Sequence, residues 1–361
     1  MTAPSSSRST PLGLALVLAG ALAGVLVGEL FFRAIAEVRP PLVEAEDGIA
    51  WFRAHDPTTL VLGSSHARAF LPLDEMLERE AAANPGSHAE RVAVISLEYG
   101  TLTSYRWLVT QKLVPLLDAR AAGGGRPSLA RAILVTDWWD ACSRAQGPAS
   151  TNLPARVWGF SDFARDLAAH GLTDYNSSYP QARLDRWFRG SVLVRSRGHE
   201  HLVNALRQLI KKKTDAERRA DLQGAIDAWR DMVEAGAGCE DPIQRQALDD
   251  LVNLFAGRGV EVTLLLYPRM PATISERAKT LTLDPFSRWA SDYAARKGVR
   301  FLDLSLATPM DDGDWETDLD HVTAAGARKF SAWALAGPLA FLREPPPAPS
   351  AAAATPPGGA S

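Results

Sequence analysis

Five short apolar runs constrain this chain more than any other feature: "TTLVLG" (58–63), "RVAVISL" (91–97), "RAILVTD" (131–137), "VEVTLLLY" (260–267) and "GVRFLDL" (298–304). Each has the length of a β-strand and is bounded by turn or helix signals. Their apolar character is continuous rather than alternating, which implies burial on both faces and therefore a parallel sheet covered by helices. Helical stretches lie between them, including "DEMLEREAAA", "SYRWLVTQKLVPLLDAR" and "FSRWASDYAARKG". The fold class expected is α/β, a three-layer open parallel sheet of about five strands, with its active site at the carboxyl ends of the strands. The domain is expected to span 50–342. Over a hundred residues separate the third and fourth runs, and there Leu202, Leu206, Leu209 and Ile210, then Leu222, Ile226, Trp229 and Val233, recur at helical spacing. That spacing predicts two amphipathic helices in a helical insertion at about 145–245.

The ends of the chain differ from this core. After a short tail (1–10), the segment "PLGLALVLAGALAGVLVGELFF" is apolar except for Glu29 and long enough to span a bilayer, so 11–33 is expected to be a transmembrane anchor. A cleaved signal peptide ending near "ALA" (21–23) is the competing reading; the apolar run continues through Phe32, further than a cleaved peptide needs. Arg8 precedes the span while Arg33 and Arg39 follow it, so charge counting does not orient it. The tail 343–361, rich in Pro, Ala, Gly and Ser, cannot bury enough apolar surface to offset its ordering entropy and is expected to be disordered. A net charge of −3 gives no sign of a nucleic-acid partner. The two cysteines, Cys142 and Cys239, are either separate thiols or one long-range disulfide, according to compartment.

The first run passes straight into "GSSH". Glycine at a strand end permits a sharp turn, and a serine just beyond it stands beside the unpaired N–H groups of the next helix. Ser64 or Ser65 then serves either as a helix cap or as a nucleophile whose oxyanion those N–H groups stabilise. A nucleophilic serine needs a base, and the base needs a carboxylate. Of seven histidines, His55, His88 and His170 sit in polar surroundings without a pattern, and His199 and His201 have metal-like spacing but no third ligand. His66 adjoins the serines, but adjacent residues at a helix start point apart, so it is expected to be structural or a substrate contact rather than the base. His321, in "DLDHVTAAGA" after the last strand, remains as the base, with Asp318 able to fold back onto it and Asp320 expected to point elsewhere. Gly326 is expected to let the following helix pack closely. No cofactor and no metal are expected.

"VLGSSH" together with "DLDHVTAAGA" resembles the SGNH hydrolase superfamily, the GDSL-type esterases, over roughly 57–342 apart from the insertion. The resemblance implies a flavodoxin-like sheet with Ser65 as nucleophile, His321 as base and Asp318 as its orienter. It also implies an oxyanion hole built from the N–H groups of Ser65 and Gly100. The third strand offers Asp137 where that family has an asparagine; an ionised carboxylate would repel an oxyanion, so Asp137 is left out of the hole. A membrane helix ahead of such a domain is similar to the envelope branch, which includes the D-alanyl transfer protein of teichoic acid synthesis and the alginate acetylation proteins. On that resemblance the domain lies outside the cytoplasmic membrane, in the periplasm, and a Cys142–Cys239 disulfide is permissible. The function implied is that of a serine esterase or O-acyltransferase acting on acyl, chiefly acetyl, esters of envelope carbohydrate. Its partners would be the acylated polymer or acyl donor, the membrane, and a polytopic membrane O-acyltransferase. The alternative is a catalytically inactive scaffold or polymer-binding protein with the same fold.

Overall fold

The computed structural model describes residues 43–345, apart from 85–89, 98–99, 123–128, 142–159, 172–178, 181–214, 239–240 and 308, together with residues 20 and 24. Five parallel strands form one sheet: β1 (Thr59–Gly63), β2 (Val92–Ser96), β3 (Arg131–Thr136), β4 (Glu261–Leu266) and β5 (Arg300–Asp303), in the spatial order β2-β1-β3-β4-β5. β1 pairs with β2 from Thr59↔Val92 to Gly63↔Ser96 and with β3 from Thr59↔Arg131 to Leu62↔Leu134. The chain therefore leaves β1 in one direction for β2 and in the other for β3, which opens a crevice at the carboxyl ends of β1 and β3.

Side chains along each strand alternate between two cores, as the period of two requires. Leu60, Leu62, Ala93, Ile95, Leu134 and Leu264 face one core. It is closed by α1 (Val43–His55), α3 (Leu102–Leu108), α7 (Pro242–Ala256) and α8 (Asp284–Lys297). Val61, Val92, Ile133, Val135 and Leu265 face the other, closed by α2 (Leu73–Ala83), α6 (Asp215–Ala235) and α9 (Ala324–Ala336). Both faces are thus covered, and the central strands β1 and β3 are buried along their whole length. α4 (Val114–Ala122) continues α3 through a π-helical turn, and α5 (Phe160–His170) belongs to the region of the expected insertion.

Several expectations are sharpened. The packed core reaches back to Ala45, ahead of position 50, because Gly48 lets α1 lie against β2: a Cβ there would stand 2.7 Å from Val94 O. In the insertion, α6 carries Ile226, Trp229 and Val233 on its inward side, whereas the helix expected around Leu202–Ile210 lies outside the described residues. Cys142, Cys239, nearly all of the 11–33 span and the tail from 346 also lie outside them. Among the described residues no helix is long and apolar enough to cross a membrane.

Candidate active site

Gly63 ends β1 with a backbone that any residue adopts, and its requirement is spatial: a Cβ would meet Val135 Cβ and O at 2.9 Å, so glycine lets β1 and β3 close up where the crevice begins. The next two serines divide the two roles weighed for them. Ser64 is the N-cap of a 3-10 helix (Ser65–Phe70), with His66 N–H directed at its Oγ. Ser65 occupies the first helical position and faces across the crevice.

What it faces is His321. Ser65 Oγ lies 2.6 Å from His321 Nε2, and His321 Nδ1 lies 2.6 Å from Asp318 Oδ2. A carboxylate only accepts, so Nδ1 carries the proton and Nε2 presents its lone pair to the serine O–H. Asp318 Oδ1 also accepts the N–H groups of Asp320, at 3.1 Å, and His321, at 3.0 Å. Burial works against the ionised Asp318, but the amide and ring of His321 and the amide of Asp320 outweigh it and hold the carboxyl below the usual carboxylate range. Asp318 therefore stays anionic at neutral pH, as the partner of a histidine base must.

The loop bearing His321 is fastened on several sides. Trp315 and Val322 form an antiparallel bridge, Glu316 N–H donates to His321 O at 2.7 Å, and Trp229 Nε1–H donates to Asp318 O at 2.7 Å. Thr323 caps α9 by accepting Gly326 N–H at 3.0 Å. Leu319, buried, holds a left-handed conformation at φ 63°, which an L-residue adopts only when its surroundings require it.

The donors for an oxyanion are fewer than the resemblance implied. Ser65 N–H makes no hydrogen bond among the described residues and stays available. Gly100 requires a correction, since its N–H donates to Leu97 O at 2.7 Å and is committed to that turn. Its glycine identity has a steric reason instead: a Cβ would stand 2.6 Å from Tyr105 Cε1 and 2.8 Å from Leu97 O.

Sequence reasoning missed a set of buried charges behind the serine and histidine. His66 Nε2 lies 3.0 Å from Asp320 Oδ2, and Arg269 donates to Asp320 Oδ1 at 2.9 Å and also to Asp137 Oδ2. Asp137 Oδ2 in turn lies 3.5 Å from His66 Nδ1, which closes the ring. His66 stacks on Tyr267 at 4.1 Å. Burial disfavours ionised Asp320, yet His66, Arg269 and His321 hold its carboxyl far below the ordinary range. Asp140 behaves oppositely: complete burial, reinforced by Asp137, pushes its carboxyl well up. One signal was present in the sequence, since Asp137 and Arg269 each follow an apolar strand by one to three residues, the edge where α/β sites form.

His66, Asp320 and His321 bring one potential metal-ligating atom each within 4.8 Å of one another. Their chemistry does not fit a resident cation: both Asp320 oxygens are taken by His66 and Arg269, and the guanidinium is already the cation of the cluster.

Neither protein-family profiles nor curated proteins gave a match to this chain. Among solved structures, the chain is similar to the crystal structure of the lipase/acylhydrolase from Enterococcus faecalis, at 12% identity and a TM-score of 0.35, over 80% of this chain and 98% of that one. A likeness of that degree speaks to neither activity nor substrate, and the functional reading rests on the residues themselves.

Proposed function

We propose that the protein is a serine esterase or O-acyltransferase of SGNH type. The observation that carries this reading is the hydrogen-bonded series from Ser65 through His321 to Asp318, with 2.6 Å at each step. Ser65 Oγ attacks the acyl carbonyl as its proton passes to His321 Nε2, and Asp318 stabilises the imidazolium that forms. The tetrahedral oxyanion takes the Ser65 N–H. The imidazolium then protonates the departing alcohol, leaving an acyl-serine. Water in the hydrolase, or a sugar hydroxyl in the transferase, gives its proton to His321 and releases the acyl group from Ser65.

We extend the reading to a membrane-anchored, extracytoplasmic protein acting on acetyl or related esters of envelope carbohydrate, an extension that rests on the apolar 11–33 segment and the sequence resemblance. A second reading, a scaffold that keeps the fold without turnover, is favoured by one observation: with Gly100 N–H committed and Asp137 paired to Arg269, Ser65 supplies the oxyanion donor. A serine-reactive fluorophosphonate separates the two. Labelling of the wild type that disappears in Ser65→Ala supports the enzyme, and no labelling of the wild type supports the scaffold.

A further inference from the structure

Two consecutive residues on the serine's segment meet two consecutive residues on the histidine's loop. Ser65 pairs with His321 and His66 pairs with Asp320, across 256 and 254 residues of sequence. The first contact is the reacting pair of the proposed esterase. The second has no place in the chemistry, yet its members are more deeply enclosed than His321, with the His66 side chain 5% and Asp320 16% exposed.

The contact between His321 and Asp318 orients the ring but cannot locate it relative to Ser65, because both residues ride on one loop, three positions apart. Locating the ring takes a tie to elements outside that loop. Asp320 supplies one: one oxygen goes to His66 on the serine's segment, the other to Arg269 after β4, and the same guanidinium reaches Asp137 after β3. A planar fork shared by two carboxylates fixes direction as well as distance, which an ammonium does not.

We propose that His66 and Arg269 are positioning residues that set the location of the catalytic base by clamping Asp320 between them, an inference that rests on the esterase reading. Groups from every neighbouring element bear on this clamp. Around His66 stand Ser64, Asp137, Asp320, His321 and the Tyr267 ring. Around Arg269 stand Asp137, Asp140, Asp320 and, at 5.6 Å, the Trp229 ring. Arg269 is the fixed cation among these carboxylates, so its removal leaves the base in a more negative field and favours the protonated imidazole.

The test uses Arg269→Met, Arg269→Lys and His66→Gln on a small acetyl ester. In Arg269→Met and His66→Gln, kcat should fall about 10- to 100-fold with KM within about twofold, the size of effect a displacement near 1 Å produces. In Arg269→Met the acid limb of the pH profile should also move to higher pH. Arg269→Lys should return that limb toward the wild-type position while kcat stays low, because the charge is restored without the fork. Folded variants with wild-type kcat and an unmoved pH profile would overturn the proposal. Should Arg269→Met not fold, a crystal structure of Arg269→Lys is read instead: His321 Nδ1 should keep its contact with Asp318, while the separation of Ser65 Oγ and His321 Nε2, 2.6 Å in the wild type, should lengthen by about 1 Å. An unchanged Ser65–His321 separation in that variant overturns the clamp. A wild type without Ser65-dependent turnover counts against the esterase reading instead, and the comparison of the two structures still decides the clamp.

Discussion

Gly326→Ala sets two opposing effects against each other. In a helix interior, alanine is favoured over glycine by about 1 kcal/mol, so substitution at an open site should stabilise. At Gly326 the new Cβ would stand 2.3 Å from Asp314 O and 3.1 Å from Asp314 C. Ordinary carbon-to-oxygen contact begins at about 3.3 Å, so the two segments must part by about 1 Å. Forcing such a contact into a packed site costs about 1–3 kcal/mol, which exceeds the helical gain over most of that range. Asp314 O also accepts Thr323 N–H, at 2.8 Å, and Thr323 Oγ1–H, at 3.2 Å, so both bonds weaken as it moves. The Trp315–Val322 bridge and the Glu316 N–H bond to His321 O carry the shift toward the base. A net loss of up to about 2 kcal/mol, a melting temperature lower by up to about 8 °C, and a kcat reduced by about 10- to 100-fold are expected. Gly224→Ala, in α6 with nothing within 4 Å of the added Cβ, is the control and should stabilise by up to about 1 kcal/mol. Thermal melts and ester kinetics on both variants decide it. A Gly326→Ala protein that melts higher and turns over normally would refute the account of how the loop is held.

Ser65→Ala and His321→Ala should each lower ester turnover by at least ~10³-fold, and Asp318→Asn by about 10²- to 10⁴-fold through loss of the required tautomer. Ser64→Ala should stay within about tenfold while losing about 0.5–2 kcal/mol of stability through the cap, and near-abolition there would reverse the two serines' roles. Asp140 tests the buried charges: its folded carboxyl titrates well above the unfolded one, so native stability falls as pH rises past about 4, by up to ~1.4 kcal/mol per pH unit. Asp140→Asn removes that slope, so its advantage over the wild type in urea unfolding should widen between pH 5 and pH 7; parallel curves would show that Asp140 is ionised in the fold.

The sheet was legible because the middles of β1 and β3, Leu60–Leu62 and Ala132–Val135, are buried on both faces and wholly apolar, with the polar Thr59, Arg131 and Thr136 confined to the strand ends, and the runs in sequence stand within one or two residues of the strands. Ser65, His321 and Asp318 were legible for a local reason: the turn after a buried strand and the Asp-x-x-His spacing are written in short windows. Asp320 shows where local reading stops. Its carboxylate makes no hydrogen bond to His321, although it comes within 4.8 Å of the ring, and its partners, 51 and 254 residues distant, follow from how the strand ends align. Glycine was the other source of error. The residue type records that a side chain is excluded, at Gly100 by the Tyr105 ring and Leu97, and says nothing of where its N–H points.

The distance along the chain between Ser65 and His321 also has a consequence in time. The proposed nucleophile is synthesised 256 residues ahead of its proposed base. At about 5–20 residues per second, the ribosome takes roughly 13–50 seconds to cover that interval. Throughout it the growing chain carries a serine with no histidine to activate it, whatever acyl compounds surround it. Competence arrives only when β5 has joined the sheet and the loop beyond it has docked, so esterase activity would report completion of the fold rather than the presence of the nucleophile.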